Sequence, residues 1–569
     1  MLTTYPNAFD FVPAQLDATR WVELEPLYRA LIARPLNTPA DLEKLLLDRS
    51  ELDAAASEAG SLLHIAMTRH TDDEGTKQAY LDFVEHVLPP LKEATFALDR
   101  KIVSSPLAAK LDAARYRVLL RDLRAAVDLF RPANIPIETE LTKLEQEYSE
   151  ICGAMTVNFD GVERTLPAMA KFQEERDRTV RERAWRAVAE RRLRDRAAIE
   201  ANYERMLPLR QQQAHNADCR DYREFAFKAK RRFDYTPSDC DAFARGVERH
   251  IVPAVKAIHR ARAKNLGIST VRPWDLAVDE RGRPALKPFT TADELTGRSS
   301  RAFHRMDASL GTMFDTLRGG DFLDLDARKG KAPGGYQANR DRRRVPFIFM
   351  NAVGVQRDVE TMVHEAGHAF HALLSRDENL LAYRSEIPLE FCEVASMSME
   401  LTAGPFLDEF YTDPGDAVRA RRAHLEELAA RLAWIATIDQ FQQWVFTNPG
   451  HSAAERHAKW LSLLDRFGGD IDWAGLDEER ANLWHRQLHL FLHPFYYIEY
   501  GIAQLGALQL YARYRTEPKA AIADYKRALA LGGSRPLPEL FAAAGLKFDF
   551  AENEIGRAWS AVSAELQTT

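Results

Sequence analysis

Apolar residues recur three and four positions apart through most of this 569-residue sequence. This spacing places them along one face of an α-helix. Residues 137–154 and 172–209 show the pattern clearly. The chain also contains only 28 Gly and 27 Pro, the two residues that most disfavour the interior of a helix. We therefore expect a mainly α-helical protein, long enough to bury a large core without disulfide bonds.

The composition excludes several classes of protein. Hydrophobic residues make up 46% and charged residues 28%, as in globular rather than disordered chains. The formal net charge of −7 gives no basic surface for nucleic acid. The four cysteines, Cys152, Cys219, Cys240 and Cys392, form no CxxC pair, so we expect reduced thiols and a cytoplasmic location. No run of about 18 apolar residues predicts a membrane span, and the N-terminus lacks a signal-peptide pattern.

Two segments depart from the helical pattern. Residues 155–166 alternate apolar and polar side chains and contain Asp160-Gly161, which predicts a β-hairpin. Residues 319–336 contain five glycines and predict a long loop. This loop is not a phosphate-binding loop, because the required glycine and hydroxyl positions are occupied by other residues.

A short strand is predicted at residues 345–351, which are mostly apolar and rich in Phe. Pro346 cannot donate a ladder hydrogen bond, so this strand is expected at a sheet edge or to begin there. An edge strand next to a catalytic helix could bind an extended peptide as an added strand. The alternative is an ordinary edge strand without a ligand.

The segment 358–374, DVETMVHEAGHAFHALL, carries the strongest chemical signal. His364 and His368 lie one helical turn apart on the same face, where both imidazoles can reach one Zn²⁺. Glu365 follows the first histidine and can take a proton from a water on the metal. Gly367 costs about 1 kcal/mol inside a helix and is tolerated where another group must approach closely.

A catalytic zinc needs a third protein ligand and an open position for water. Candidates downstream are Glu386, Glu390, Glu393 and Glu400. Pro388 fits the first turn of a helix that would carry the last three of them. Glu390 and Glu393 share a face of that helix, and Glu400 lies two turns further on, so periodicity alone does not choose among them.

Five segments occur in a characteristic order: GKAPGGY (330–336), PFIFMN (346–351), DVETMVHEAGHAFH (358–371), FCEVASM (391–397) and HPFYYIEYGIAQLGALQLY (493–511). Together they resemble the thimet oligopeptidase/oligoendopeptidase F family of zinc metallopeptidases, and most closely its bacterial oligoendopeptidase F branch. The resemblance implies that Glu393 is the third zinc ligand, with Glu390 as the alternative. Asp358 then either orients a ligand histidine or supplies negative charge at the helix N-terminus.

The same resemblance implies a second group of catalytic residues near residue 490. In the family, a histidine and closely spaced tyrosines donate hydrogen bonds to the oxyanion of the tetrahedral intermediate. His489, Tyr497 and Tyr500 match these positions, and Tyr497 and Tyr500 share a helix face. His493 and Tyr496 are the alternatives. Without the zinc motif, the segment would be interpreted as an aromatic core helix.

The resemblance implies a mainly α fold: a neurolysin-like helical clamshell with a deep central channel and a small β-sheet next to the active site. We predict an N-terminal helical domain with one hairpin over residues 1–195 and a catalytic domain over residues 196–569. The expected activity is hydrolysis of internal bonds of short unfolded peptides by one Zn²⁺ per chain, with no nucleic acid or membrane partner. The alternatives are a zinc exopeptidase and an inactive helical peptide-binding protein.

Overall fold

A computed structural model of the protein describes residues 11–328, 330–332 and 334–567. The predicted mainly helical fold is confirmed, since α-helices make up most of the described residues. The helices are α1 (Trp21–Ala33), α2 (Pro39–Arg69), α3 (Glu74–His86), α4 (Leu88–Ser104), α5 (Ala113–Leu129), α6 (Asn134–Gly153), α7 (Arg178–Arg194), α8 (Arg196–Asn216), α9 (Tyr222–Ala229), α10 (Pro237–Gly246), α11 (Val252–Leu266), α12 (Ala292–Met306), α13 (Ala308–Arg318), α14 (Gln356–Ser375), α15 (Leu381–Arg384), α16 (Leu389–Ala403), α17 (Pro414–Thr447), α18 (Ala453–Phe467), α19 (Asp477–Ala481), α20 (Leu488–Leu492), α21 (Tyr497–Tyr514), α22 (Pro518–Leu529), α23 (Leu537–Ala543) and α24 (Glu552–Leu566). The strands are β1 (Thr156–Phe159), β2 (Val162–Thr165), β3 (Leu323–Asp326), β4 (Tyr336–Arg340) and β5 (Val345–Ala352). No helix in the described part of the chain combines the length and apolar character that a membrane span needs.

The chain forms two compact units, each built from three segments. The first unit comprises Met1–Asp128, Lys287–Arg421 and Ala503–Phe548, of which residues 1–10 lie outside the described residues. The second comprises Leu129–Leu286, Arg422–Ile502 and Asp549–Thr569. The predicted domain boundary at 195/196 falls between α7 and α8, inside the second unit, and stays a prediction.

The predicted β-hairpin is confirmed in the second unit. Strands β1 and β2 pair antiparallel, with Phe159 opposite Val162. Asp160 and Gly161 form the two-residue turn between them, with φ of 53° and 77°. Positive φ at both turn residues matches the right-handed twist of the flanking strands, which explains the Asp-Gly pair.

The strand predicted at residues 345–351 is the centre of a three-stranded sheet and not its edge. The strand order is β3-β5-β4, with β5 parallel to β3 and antiparallel to β4. The edge prediction was therefore wrong, whereas the alternative of a strand start at Pro346 fits. Pairing with β3 begins further along β5, where the Ile348 N–H donates to the Phe322 carbonyl at 2.9 Å. The missing N–H of Pro346 therefore costs no ladder bond.

The segment 319–336 is more ordered than the predicted loop, because it contains all of β3 and the first residue of β4. Buried Lys331 attaches its second half to the sheet. The Lys331 ammonium donates to the Asp324 carboxylate and the Met350 carbonyl, both at 2.7 Å, and to the Asp326 carbonyl at 2.9 Å. Residues 329 and 333 of this segment lie outside the described residues.

Helices α14 and α16 of the first unit approach each other unusually closely at Gly367. A Cβ atom at this position would lie 2.6 Å from the Ser396 Cα and 2.7 Å from the Ala395 carbonyl oxygen. Both distances are too short for real contacts, and backbone atoms cannot move aside as a flexible side chain can. Gly367 is therefore required by packing, as its position inside a helix predicted.

We predict that Gly367→Ala destabilises the protein. The added methyl group would force α14 and α16 apart, and we expect the free energy of unfolding to fall by about 1–3 kcal/mol. The control is Gly297→Ala in α12, where the nearest atoms to an added Cβ lie 3.9 Å away or more. That substitution should raise stability by about 0.4–1 kcal/mol. Thermal and urea unfolding of both variants tests this, and a Gly367→Ala variant as stable as the wild type would contradict the close approach.

Candidate metal centre

Two histidines of α14 and one glutamate of α16 converge in the first unit. His364, His368 and Glu393 each offer one donor atom, and the three atoms lie within 4.8 Å of one another. The Glu393 Oε2 atom is 3.5 Å from the His364 Nε2 atom and 3.7 Å from the His368 Nε2 atom. The two imidazole rings stand nearly perpendicular, at 82°. The structure therefore brings together three of the residues that the sequence proposed as ligands.

The spacing of these three atoms fits a bound metal better than hydrogen bonding. Ligand atoms 2.0–2.1 Å from a tetrahedral Zn²⁺ lie about 3.3 Å apart. The observed 3.5 and 3.7 Å are close to this value and exceed the usual hydrogen-bond length of about 2.7–3.2 Å. Two imidazoles and one carboxylate are also the donor set that catalytic zinc prefers. The donor set and its geometry thus fit the expected ion.

Glu400, another sequence candidate for the third ligand, contacts the opposite side of His364. Its Oε1 atom lies 2.6 Å from the His364 Nδ1 atom. Because this carboxylate accepts the Nδ1 proton, the Nε2 lone pair is left available for a metal. Burial alone would lower the pKa of His364, but the bond to Glu400 and the charges of Glu400 and Glu393 raise it to about 9 in the metal-free site. Glu400 therefore acts as the orienting partner of His364.

His368 differs from His364 in its hydrogen-bond partner, which is the Cys392 backbone and not a carboxylate. Burial and the charge of His364 lower the pKa of His368 to about 3, opposed by a hydrogen bond with the Cys392 backbone. The imidazole is therefore neutral at pH 7, which is the form that binds metals.

Glu365 lies buried next to these groups. Burial raises the pKa of its carboxyl group to about 7, helped by the charges of Glu393 and Glu400. A hydrogen bond from the Gln337 backbone in β4 opposes this rise. The Oε2 atom accepts no hydrogen bond from the described residues. A buried carboxylate oxygen without a donor is costly, so this atom needs a partner such as a water at the site.

The remaining acidic candidates serve other purposes. The Asp358 Oδ2 atom accepts the backbone N–H groups of Val353, Gly354 and Val355 at 2.8, 2.8 and 3.0 Å. Asp358 therefore caps the N-terminus of α14, the second of its two predicted roles. Glu390 is buried on α16 but lies outside the group of three donor atoms.

The predicted oxyanion residues lie in the second unit, grouped around His489. The His489 ring centroid is 4.8 Å from that of Tyr497, 5.6 Å from that of Tyr496 and 6.0 Å from that of Tyr500. His493, the alternative histidine, is exposed. The structure thus brings His489, Tyr497 and Tyr500 into one aromatic cluster, and their catalytic role stays a prediction.

A turn with an unfavourable backbone conformation precedes α21 and its tyrosines. Phe495 has a φ of 63°, in the left-handed region that bulky residues avoid. Its N–H donates to the Gln442 Oε1 atom at 2.6 Å, and its carbonyl accepts a bond from Arg232. The buried Arg232 guanidinium also donates to Glu499 at 2.8 Å. These hydrogen bonds stabilise the turn and so hold Phe495 in its unfavourable backbone conformation.

A second group of possible metal donors in the second unit does not fit a metal. The Glu200 Oε1 atom lies 2.6 Å from the His457 Nε2 atom and 3.0 Å from the His485 Nε2 atom. These are hydrogen-bond lengths, shorter than the separation between zinc ligands. The Arg456 guanidinium also donates to the other oxygen of Glu200 at 2.5 Å and neutralises its charge. Glu200 therefore anchors a hydrogen-bonded network.

Comparisons with known proteins agree with this site. The sequence profile of Peptidase family M3 matches residues 171–555, and that of the Peptidase M3 N-terminal domain matches residues 11–130. An oligoendopeptidase F homolog of Borreliella burgdorferi is 25% identical over 234 residues, which cover 38% of this chain and 37% of that protein. Oligopeptidase PepF of Bacillus subtilis is 24% identical over 220 residues, covering 38% and 32%. The matched part thus spans about a third of the length of these curated relatives.

Solved structures resemble the whole chain. A crystal structure described as that of an oligoendopeptidase F has a TM-score of 0.90 and 28% identity, and the match covers 99% of both chains. PZ peptidase A, solved with an inhibitor, has a TM-score of 0.89 and 28% identity, covering 96% of this chain and 97% of its own. Because the family profile matches more than half of the sequence, this chain belongs to peptidase family M3.

Proposed function

We propose that the protein is a zinc-dependent endopeptidase that hydrolyses internal bonds of short unfolded peptides. The observation that carries this proposal is the grouping of His364, His368 and Glu393. Beside it, on the helix of the two histidines, lies the Glu365 carboxylate, one oxygen of which accepts no hydrogen bond from the described residues. Similarity to an oligoendopeptidase F and to PZ peptidase A supports it. The cytoplasmic location predicted from the cysteines, all free thiols here, is part of the same proposal.

In this proposal His364, His368 and Glu393 hold one Zn²⁺ per chain. When bound there, the ion would lower the pKa of a coordinated water towards about 7 and polarise the scissile carbonyl. Glu365 takes the proton of the attacking water and later passes it to the leaving amine. Glu400 keeps the Nε2 atom of His364 directed at the ion.

The outer edge of β4, opposite β5, is the proposed binding site for the peptide backbone. Ile348 directs its N–H towards β3, so its antiparallel partner Gln337 forms no ladder bonds with β5. The backbone groups of Gln337 and Asn339 therefore face away from the sheet. An extended peptide adding along β4 would run past Glu365, which already bonds to the Gln337 backbone. In this proposal the peptide adds to β4, whereas the sequence predicted that it would add to β5.

The oxyanion is stabilised in this proposal by His489, Tyr497 and Tyr500. Their hydroxyl and imidazole protons are the donors that a developing negative charge requires. This role follows from the family resemblance.

Internally quenched peptides with blocked ends separate this function from its alternatives. An endopeptidase cleaves them, whereas an aminopeptidase or carboxypeptidase leaves them intact because it must capture a free terminus. An inactive peptide-binding protein would bind such peptides and leave them uncut when fully loaded with zinc. Failure to cleave any blocked peptide in the zinc-loaded state would overturn the endopeptidase proposal.

Glu365→Gln should keep the metal and lose the chemistry. The amide preserves the size of the side chain but cannot accept a proton from water. We expect zinc content near that of the wild type and a fall in kcat of several orders of magnitude, measured by metal analysis and peptide hydrolysis. Near-normal turnover in a zinc-loaded variant would remove Glu365 from the mechanism.

The three buried glutamates of α16 should differ in their effect on metal affinity. Glu393→Ala removes a ligand and should abolish tight zinc binding. Glu400→Ala removes only the orienting partner of His364 and should weaken zinc binding about 10- to 100-fold. Glu390→Ala is the matched control, with affinity near that of the wild type. Competition with a chromophoric chelator measures all three, and loss of zinc from the Glu390 variant alone would show that the third ligand is misassigned.

Tyr500→Phe should lower turnover more than it raises KM. Removing the hydroxyl keeps the ring, so the aromatic cluster should stay packed. If the hydroxyl donates to the oxyanion, kcat and kcat/KM should fall together by about 10²–10³-fold. Tyr497→Phe is the control for register, because only a hydroxyl on the site-facing side of the helix should affect kcat. If both variants stay within a few-fold of wild-type turnover, these tyrosines are core aromatics.

A further inference from the structure

Gln487 lies between Trp434 and His489 in the second unit and bonds to both. The Trp434 Nε1 atom is 2.9 Å from the Gln487 Oε1 atom. The Gln487 Nε2 atom is 2.8 Å from the His489 Nδ1 atom. All three side chains are partly buried, as are the two bonds between them. Gln487 and Trp434 both lie outside the five ordered segments that carry the family resemblance.

The chemistry of the three groups fixes the direction of both bonds. An indole N–H can only donate, so the atom that faces Trp434 must be the amide oxygen of Gln487. The amide nitrogen then faces His489, and it too can only donate. The His489 Nδ1 atom must therefore be the acceptor. In the opposite orientation of the amide, two N–H donors would face each other at Trp434.

A neutral imidazole carries one proton, so an accepting Nδ1 atom leaves that proton on Nε2. His489 is neutral at pH 7, because burial and the nearby charges of His493 and Lys230 lower its pKa to about 4. The other titratable groups around the ring are the phenols of Tyr496, Tyr497 and Tyr500. Burial raises the pKa of the Tyr497 phenol, so this group keeps its proton at neutral pH.

We propose that Gln487 is a positioning residue, oriented by Trp434, which holds His489 in its Nε2–H tautomer and so makes it a neutral hydrogen-bond donor for the reaction. The role in the reaction rests on the proposed function, in which His489 donates to the oxyanion. A histidine in the other tautomer would present a lone pair to the developing negative charge and would repel it. The tautomer itself does not depend on that function and can be measured independently.

Gln487→Leu is the primary test variant, because leucine fills a similar volume and neither donates nor accepts a hydrogen bond. Trp434→Phe is the second variant: it keeps an aromatic ring but frees the Gln487 amide to turn over. Gln440→Leu is the matched control, a glutamine of the same unit whose amide donates to Asp241 at the surface. His489→Asn assigns the His489 signals and tests the residue itself. Circular dichroism and thermal unfolding establish that each variant is folded.

The tautomer is measured by long-range ¹H–¹⁵N spectra of protein labelled at histidine, in which protonated and unprotonated ring nitrogens have widely separated shifts. The proposal predicts a protonated Nε2 and an unprotonated Nδ1 for His489 in the wild type. In Gln487→Leu the two tautomers should exchange, with averaged shifts, and Trp434→Phe should show a smaller change. We expect kcat to fall about 10- to 100-fold in Gln487→Leu at little change in KM, and to stay at the wild-type value in Gln440→Leu.

The outcomes separate this inference from the function on which it rests. A wild-type His489 protonated at Nδ1, or a folded Gln487→Leu variant that keeps a single Nε2–H tautomer, would overturn the role of Gln487. If His489→Asn retains wild-type turnover, the proposed oxyanion role of His489 fails, whatever its tautomer. If His489→Asn is impaired while Gln487→Leu loses the tautomer preference and keeps full turnover, the tautomer has no part in the reaction and the proposal is overturned.

Discussion

The metal centre depends on the close approach of two helix backbones at Gly367. Because no side chain separates α14 from α16 there, the two helices lie close enough for short carboxylate side chains of one to reach imidazoles of the other. Glu393 and Glu400 are seven residues apart, about two helical turns, and so project from the same face of α16. One contacts the Nε2 side of His364 and the other its Nδ1 side. The contact at Gly367 thus positions both Glu393, the proposed ligand, and Glu400, which orients His364.

The charges around this contact explain why the site suits a cation. Three carboxylates, Glu365, Glu393 and Glu400, are all buried around two imidazoles. Buried negative charges are costly unless paired. In the metal-free site, burial raises the pKa of Glu365 to about 7 and the bond to Glu400 raises that of His364 to about 9, so both groups favour binding a proton. In the network around Glu200, by contrast, a buried arginine supplies the positive charge. There the histidines lie at hydrogen-bond distance from Glu200, closer than two ligands of one zinc ion.

Two histidines in the protein are held in opposite tautomers by their neighbours. Glu400 accepts from the Nδ1 atom of His364, so the neutral form of this ring, which binds a metal, has its lone pair on Nε2. Gln487 donates to the Nδ1 atom of His489, which leaves a proton on Nε2. A lone pair suits a metal ligand, and a proton suits a donor to an oxyanion. In each case the partner at Nδ1, and not the imidazole, decides what the ring can do.

The sequence by itself determined the features that depend on local spacing. The two histidines of α14 share a face because they are four residues apart, and Asp160-Gly161 forms its turn because positive φ is accessible to both residues. The sequence also placed a strand at Pro346 and a helix after Pro388. Recognition of the family added Glu393 to the expected ligands, a choice that periodicity left open.

Only the tertiary structure decided which elements lie side by side. It placed β5 in the centre of its sheet, gave Asp358 the role of a helix cap, and assigned Glu400 to the far side of His364. It also brought Trp434 and Gln487 together across 53 residues of sequence. These features depend on contacts between segments remote in the chain, which no helical or strand period encodes. Periodicity fixes the direction in which a side chain leaves its own element, whereas packing alone fixes the group that it meets.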